Sequence, residues 1–278
     1  MIKTVIIDDM DKAMKLVAKQ KYNEEIGRLR SSYFFRGMVD ADYKLMTSLR
    51  RNCKHLSEEL EIPMLRNFTK YAVIDDPTLK DSVWKQMIIG QHHGLPTRLL
   101  DWSKSPLIAL HFANAEENFD DLEKRDAVVW QMNMQVLNEG LPKAYKDTLD
   151  RVHAYVFSVD MLTSVADSLE KYDSDMGDRA FVSVEPPSVD HRIINQYSFF
   201  SIIPSGIDDI EDFLERSPAH SVRYIIKKEI RWDLRDTLDQ LNINERIVYP
   251  GIDGLTQWIA RHYFVKKDES KSAAFKQR

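Results

Sequence analysis

The chain has 278 residues, enough to bury a sizeable core as one large domain or two modest ones. A net charge of −5, with 43% hydrophobic and 30% charged residues, is that of a soluble globular protein. It disfavours a broad nucleic-acid binder, which needs a basic face. The single cysteine, Cys53, excludes an intramolecular disulfide and a cysteine zinc site. No apolar run approaches the ~20 residues needed to span a bilayer. Acid arrives at Asp8 and Asp9, too early for a signal peptide. The cytoplasm is the expected location, with no membrane partner.

The chain opens with a short strand, Thr4 to Ile7, followed by a long polar helix from Asp9 to Arg30. Tyr33 to Phe35 reads as a strand of aromatics ended by Gly37. Helical patterns cover Lys54 to Tyr71 and Leu79 to His92. Arg50, Arg51, Lys54, Arg66 and Lys70 gather positive charge here, as a solvated helix face does. Pro106 to Glu117 is apolar nearly all round, which predicts a buried helix. The acidic stretch Glu116 to Asp126 is the expected mobile loop. Strands are predicted at Ala127 to Met132, Ala154 to Val159, Tyr197 to Ile203 and Val222 to Ile226. Helices should cover Asp160 to Tyr172, Asp208 to Arg216, Glu229 to Leu241 and Gly254 to Val265, before a frayed charged tail, Lys266 to Arg278. There is no repeat and no Gly/Ser linker. The order predicts an α+β fold as a single mixed domain, its helix-rich N-terminal part packed on a β-sheet with interspersed helices.

One stretch stands out: Gln91-His92-His93-Gly94-Leu95-Pro96-Thr97-Arg98-Leu99-Leu100-Asp101-Trp102-Ser103-Lys104-Ser105-Pro106. Its edges are punctuation. Gly94 sits where a left-handed helix stop belongs, with Pro96 beyond it. Ser105 before Pro106 fits an N-cap and first-turn proline. The middle mixes apolar anchors with Thr97, Arg98, Asp101, Trp102 and Ser103, at the N-terminus of a buried helix, where anions bind. Arg98 can pair with Asp101 or with a phosphate. Arg36, after two aromatics and before Gly37, is a second feature. Arg192 and Gln196, four apart, are a third. The adjacent His92 and His93 diverge and lack metal-ligand spacing, so no metal is expected. No phosphate-binding glycine loop or nucleophile elbow occurs.

Phe35-Arg36-Gly37, the long central motif, Ser105-Pro106 and Ala109 with Phe112-Ala113 closely resemble the FRG domain, a family of bacteria and their mobile elements. Arg192, Gln196 and Phe199 are similar to its later Arg…Gln…Phe signature, although Tyr197-Ser198 stands where the family often has glycine. Tyr249-Pro250-Gly251-Ile252-Asp253-Gly254 resembles its closing element. The resemblance spans residues 31–255, leaving an N-terminal strand and helix (1–30) and a C-terminal helix and tail (256–278). It supplies no activity. A looser resemblance, to arginine-class mono-ADP-ribosyltransferases, rests on Phe35-Arg36-Gly37, Trp102-Ser103-Lys104-Ser105 and Ala109 with Phe112-Ala113. It implies a late acid at Glu185, or Gln196 in its place.

Three readings stay open. In the first, an NAD-using enzyme, Arg36 holds the pyrophosphate or a ribose. Ser103 orients the nicotinamide ribose, Trp102 or an aromatic near Phe35 stacks on a ring, and Glu185 or Gln196 binds a ribose hydroxyl. In the second, the same pocket is a non-catalytic nucleotide- or partner-binding module, as in bacterial defence or a phage-derived system. In the third, a hydrolase or nuclease, His93 and Asp101 form an acid–base pair beside Arg98.

Overall fold

The computed structural model describes residues 2–18, 21–24, 26–188, 190–217 and 221–266. The strands are β1 (Lys3–Ile7), β2 (Lys21–Asn23), β3 (Arg28–Arg30), β4 (Tyr33–Met38), β5 (Leu99–Ser103), β6 (Ala127–Asn133), β7 (Val182–Val184), β8 (Ser198–Ile202) and β9 (Val222–Ile226). Seven of them form one mixed sheet in the order β1-β9-β6-β4-β5-β8-β7, while β2 and β3 pair separately as a hairpin. β1 runs parallel to β9 and the other neighbours are antiparallel. The fold is α+β.

Three apolar clusters flank this sheet, and strand periodicity explains their placement. Along β6, Ala127 and Val129 face one cluster and Val128, Trp130 and Met132 the other. Successive strand residues point to opposite faces, so a strand covered on both sides reads as an unbroken apolar run. On the first face lie α1 (Met10–Val17), α5 (Pro106–Ala113) and the helix Arg231–Gln240. The helix-rich early part, α3 (Ser57–Ala72) and α4 (Val83–His92), packs against Leu99, Phe200 and Ile202 with the helices of residues 143–176. A further helix, α2 (Ser48–Cys53), is capped by Thr47.

β4 and β5 meet at a single residue pair, Phe35 with Ser103. β4 pairs with β6 over six residues and β5 with β8 over five. The sheet is therefore two well-laddered halves that part between β4 and β5.

Several expected elements differ. The helix predicted to Arg30 ends at Val17, and the hairpin β2–β3 follows. Turn chemistry overrides the helical pattern: the Asn23 side chain accepts from Ile26 N at 3.2 Å, and Gly27 takes φ +61°. Gly37 lies inside β4 instead of ending it. The expected strand Ala154 to Val159 makes one isolated bridge, Phe157 with Val184, because Ser158 caps the helix Val159–Val165. The helix expected over Asp160 to Tyr172 is two helices, since Ser168 caps a new one at Leu169. The acidic stretch is not an exposed loop. It holds a short helical turn at Phe119–Glu123, and Glu116 is buried, accepting from Arg125 at 2.9 Å and from the fully buried Arg231 at 3.1 Å. The strand β5 had no counterpart among the expected elements. The expected frayed tail lies outside the described residues from 267 onward. Among the described residues, no helix is long and apolar enough to cross a membrane.

Candidate functional site

The parting of β4 and β5 opens a cleft of about 380 Å³. Arg36 leaves β4 where the ladder ends and spans the gap. Its Nη1 donates to the Asp101 carbonyl at 2.8 Å and to Asp101 Oδ2 at 3.3 Å. One residue further, Gly37 lets α5 approach. A Cβ built there would lie 1.8 Å from the Ala109 carbonyl oxygen and 2.6 Å from Ala113 N, so no side chain fits. α5 starts at Ser105, whose hydroxyl accepts from Ile108 N at 3.4 Å, with Pro106 in the first turn. α5 in turn places Phe112 in the cleft wall.

The far wall comes from later in the chain. Asp190 caps the helix His191–Gln196, which carries Arg192 and Gln196 to the cleft. Asp190 also meets His92 Nε2 at 3.1 Å, tying this helix to the end of α4. The amide of Gln196 donates to the Val248 carbonyl at 3.1 Å. Arg192 lies over the Tyr249 ring at 5.1 Å and makes no ion pair among the described residues. Gly254 meets the Tyr249 and Glu245 carbonyls so closely that any Cβ would overlap them, which explains a glycine in the closing element.

The structure thus brings Phe35, Arg36, Gly37, Asp101, Trp102, Ser103, Arg192 and Gln196 to one cleft. It also corrects five readings. Arg98 is not at the cleft and does not pair with Asp101. Its side chain is 7% exposed and is consumed by Glu61 and Asp173, because residue 98 lies in the bend before β5 and turns toward α3. His93 does not pair with Asp101, whose partners are Arg36 and Gln91. It ends α4, edge-on to His92, and His92 meets a carboxylate instead. Glu185 is exposed beyond β7, its backbone N–H bonded to Phe157, and it does not line the cleft. Trp102 belongs to the apolar cluster with Phe34 and offers no open ring face for stacking. Thr97 is buried behind the cleft, its hydroxyl donating to Gln91 Oε1.

Sequence reasoning did not nominate Gln91, Ser48 or Phe112, all of which line the cleft. Gln91 opens the central motif and Phe112 stands in the Ala109…Phe112-Ala113 element, so both carried a signal. Ser48 follows the capping Thr47, and its hydroxyl accepts from Thr97 N at 3.0 Å, a pairing without local signal. A larger hollow of about 650 Å³, beside the β2–β3 hairpin at Tyr22, Asn133 and Tyr155, holds none of the motif residues.

Behind Phe112, α5 buries His111. Burial and the charge of Arg235 push its pKa down to about 3, and Nδ1 faces Arg235 Nη1 at 2.8 Å as an acceptor. Burial alone would raise the neighbouring Glu245 carboxyl. The Arg261 hydrogen bond and the Arg235 charge outweigh it and hold the group at about 2. Both folded values lie below the unfolded ones, so the unfolded chain binds more protons in acid. Stability is fully present above about pH 6.5 and falls through the His111 window down to about 3, with Glu245 adding to the loss from 4.5 downward. Urea unfolding should show a slope near 1.4 kcal/mol per pH unit between pH 6 and about 4.5 from this one proton. His111→Gln, whose amide oxygen can still accept from Arg235, should flatten that slope. An unchanged slope would place the titration elsewhere.

The family model of the FRG domain matches residues 31–122. The chain therefore carries an FRG domain there, taking in β4, β5 and the helices α2 to α5. The matched span stops short of Arg192 and Gln196, which enter the cleft from outside it. No curated protein and no solved structure matches. The comparisons lend no support to the looser likeness to mono-ADP-ribosyltransferases.

Proposed function

We propose that the cleft is a nucleotide site, that its ligand is NAD, and that the reaction is cleavage or transfer at the nicotinamide ribosyl bond. The observation that carries this reading is the convergence of Arg36, Ser103 and Gln196, from three distant parts of the chain, on one cleft. Its size falls within the roughly 300–1,000 Å³ of small-molecule sites. Arg36 suits a pyrophosphate. Its Nε–H is buried with no partner among the described residues, and a guanidinium matches phosphate oxygens in a forked geometry. Arg192 adds a second positive charge on the far wall.

One observation favours a second reading, a non-catalytic nucleotide- or partner-binding module. The Ser103 hydroxyl donates to the Gln196 carbonyl at 2.7 Å and accepts from Ser105 N at 3.0 Å, so it is committed to the backbone. The Gln196 amide is committed as well.

Incubation with NAD separates the two. Under the first reading the protein releases nicotinamide, and Arg36→Ala abolishes release while the thermal midpoint stays within about 2 °C, because the carboxylate it leaves, Asp101, is 56% exposed and water can solvate it. A thermal shift with NAD but no release supports the binding module. Neither release nor shift would remove NAD from the account.

A further inference from the structure

The cleft carries one acid. Among the described residues its walls hold two guanidinium groups, Arg36 and Arg192, and a single carboxylate, Asp101. Ribosyl chemistry needs an anion close by. As a base departs from C1′, positive charge develops on the ribose, and a fixed carboxylate stabilises it. Gln196 has no charge to offer and Glu185 lies elsewhere.

Asp101 is both available and held. Its side chain is 56% exposed, on a strand whose neighbours Leu100 and Trp102 are buried. Gln91 Nε2 donates to Oδ1 at 2.9 Å, and Arg36 Nη1 to Oδ2 at 3.3 Å. The Gln91 amide is oriented in turn. The Thr97 hydroxyl donates to its Oε1, which points the NH₂ group at Asp101. Ser48 and Thr97 then exchange hydrogen bonds, with Thr97 N donating to Ser48 Oγ at 3.0 Å. Each carboxylate oxygen accepts from one side chain and keeps capacity for another donor. At the exposed Asp101 end such bonds contribute little to stability. Fixing the carboxylate in one orientation is what such an arrangement does achieve.

We propose that Asp101 is the catalytic carboxylate of this cleft and that Gln91 and Thr97 are its positioning residues. The inference rests on the nucleotide reading above. With NAD, the C1′–N bond breaks and its electron pair leaves with the ring as neutral nicotinamide. C1′ bonds to the oxygen of a water molecule. Asp101 takes the water proton and passes it to solvent, leaving ADP-ribose, with no change of oxidation state. Arg36, bound to the same carboxylate, keeps it oriented while facing the pyrophosphate.

The test measures nicotinamide release and, by calorimetry, ADP-ribose affinity, for wild type and Asp101→Asn. The substitution keeps the shape and removes the charge. Release should fall about 100-fold, as loss of an acid–base group does, with ADP-ribose affinity within about threefold. Gln91→Leu should lower kcat about tenfold with KM nearly unchanged, a split that general loosening of the fold would not give. Release by Asp101→Asn above about one-tenth of wild type overturns the assignment. Wild type that binds ADP-ribose but releases no nicotinamide also overturns it, while leaving the nucleotide reading standing. Wild type that does not bind ADP-ribose defeats that reading, and this inference with it.

Discussion

Arg98→Met is expected to destabilise the protein by about 3–5 kcal/mol, the cost of leaving a buried charge without its partner. Arg98 Nε bonds Glu61 Oε1 at 2.8 Å and Oε2 at 2.9 Å, Nη2 adds a further bond to Oε2, and Nη1 reaches Asp173 Oδ1 at 2.6 Å. The Glu61 side chain is 3% exposed, so without Arg98 its charge has neither water nor a cation. The triad joins α3, the bend that leads into β5 and the helix Leu169–Met176. The double variant Arg98→Met/Glu61→Leu should recover much of the loss, since replacing a whole buried pair by apolar groups of similar size is often near neutral. Urea unfolding of the single and double variants measures both. A single-variant loss under about 1 kcal/mol would mean that Glu61 finds water or protonates without cost, contrary to its burial.

Gly37→Ala should cost about 3 kcal/mol, the upper part of the usual overpacking range. The obstacle is backbone, the Ala109 carbonyl and Ala113 N, so no rotamer change relieves it. β4 and α5 must separate. Because α5 also carries Phe112, nucleotide affinity should fall with stability. For a chain of this size the thermal midpoint should drop by roughly 6–12 °C. A midpoint within about 2 °C of wild type would show that α5 is not held against β4 as described. Arg36→Ala, one residue away, should behave in the opposite way, losing ligand and keeping stability.

The fold class was legible because β6, β8 and β9 are rich in aromatic and β-branched residues and the helices have caps that can be read locally. Ser105-Pro106 and Gly94, at φ +87°, take the roles their chemistry dictates. β5 was not legible. Leu99 and Leu100 face different clusters, Asp101 is exposed, and Arg98 beside them is charged, so neither alternation nor an apolar run appears. Missing that strand had a direct consequence for the site. Once residues 99–103 are extended, Asp101 meets Arg36 across the sheet opening, while Arg98, in the bend before the strand, turns to Glu61 and Asp173. The residues of the cleft were named from the motif. Their roles were not, because burial decides them: Arg98 and Trp102 go inward while Gln91 turns outward. The late acid implied by the ADP-ribosyltransferase likeness is a matter of which element reaches the cleft. The helix His191–Gln196 reaches it and the end of β7 does not.

The most direct test of the central claim is to titrate ADP-ribose into isotope-labelled protein and map the amide chemical shifts. The largest changes are expected at Arg36, Gly37, Asp101, Ser103, Arg192 and Gln196. Saturation with no change there, or with changes confined to the hollow at Tyr22, Asn133 and Tyr155, would contradict it.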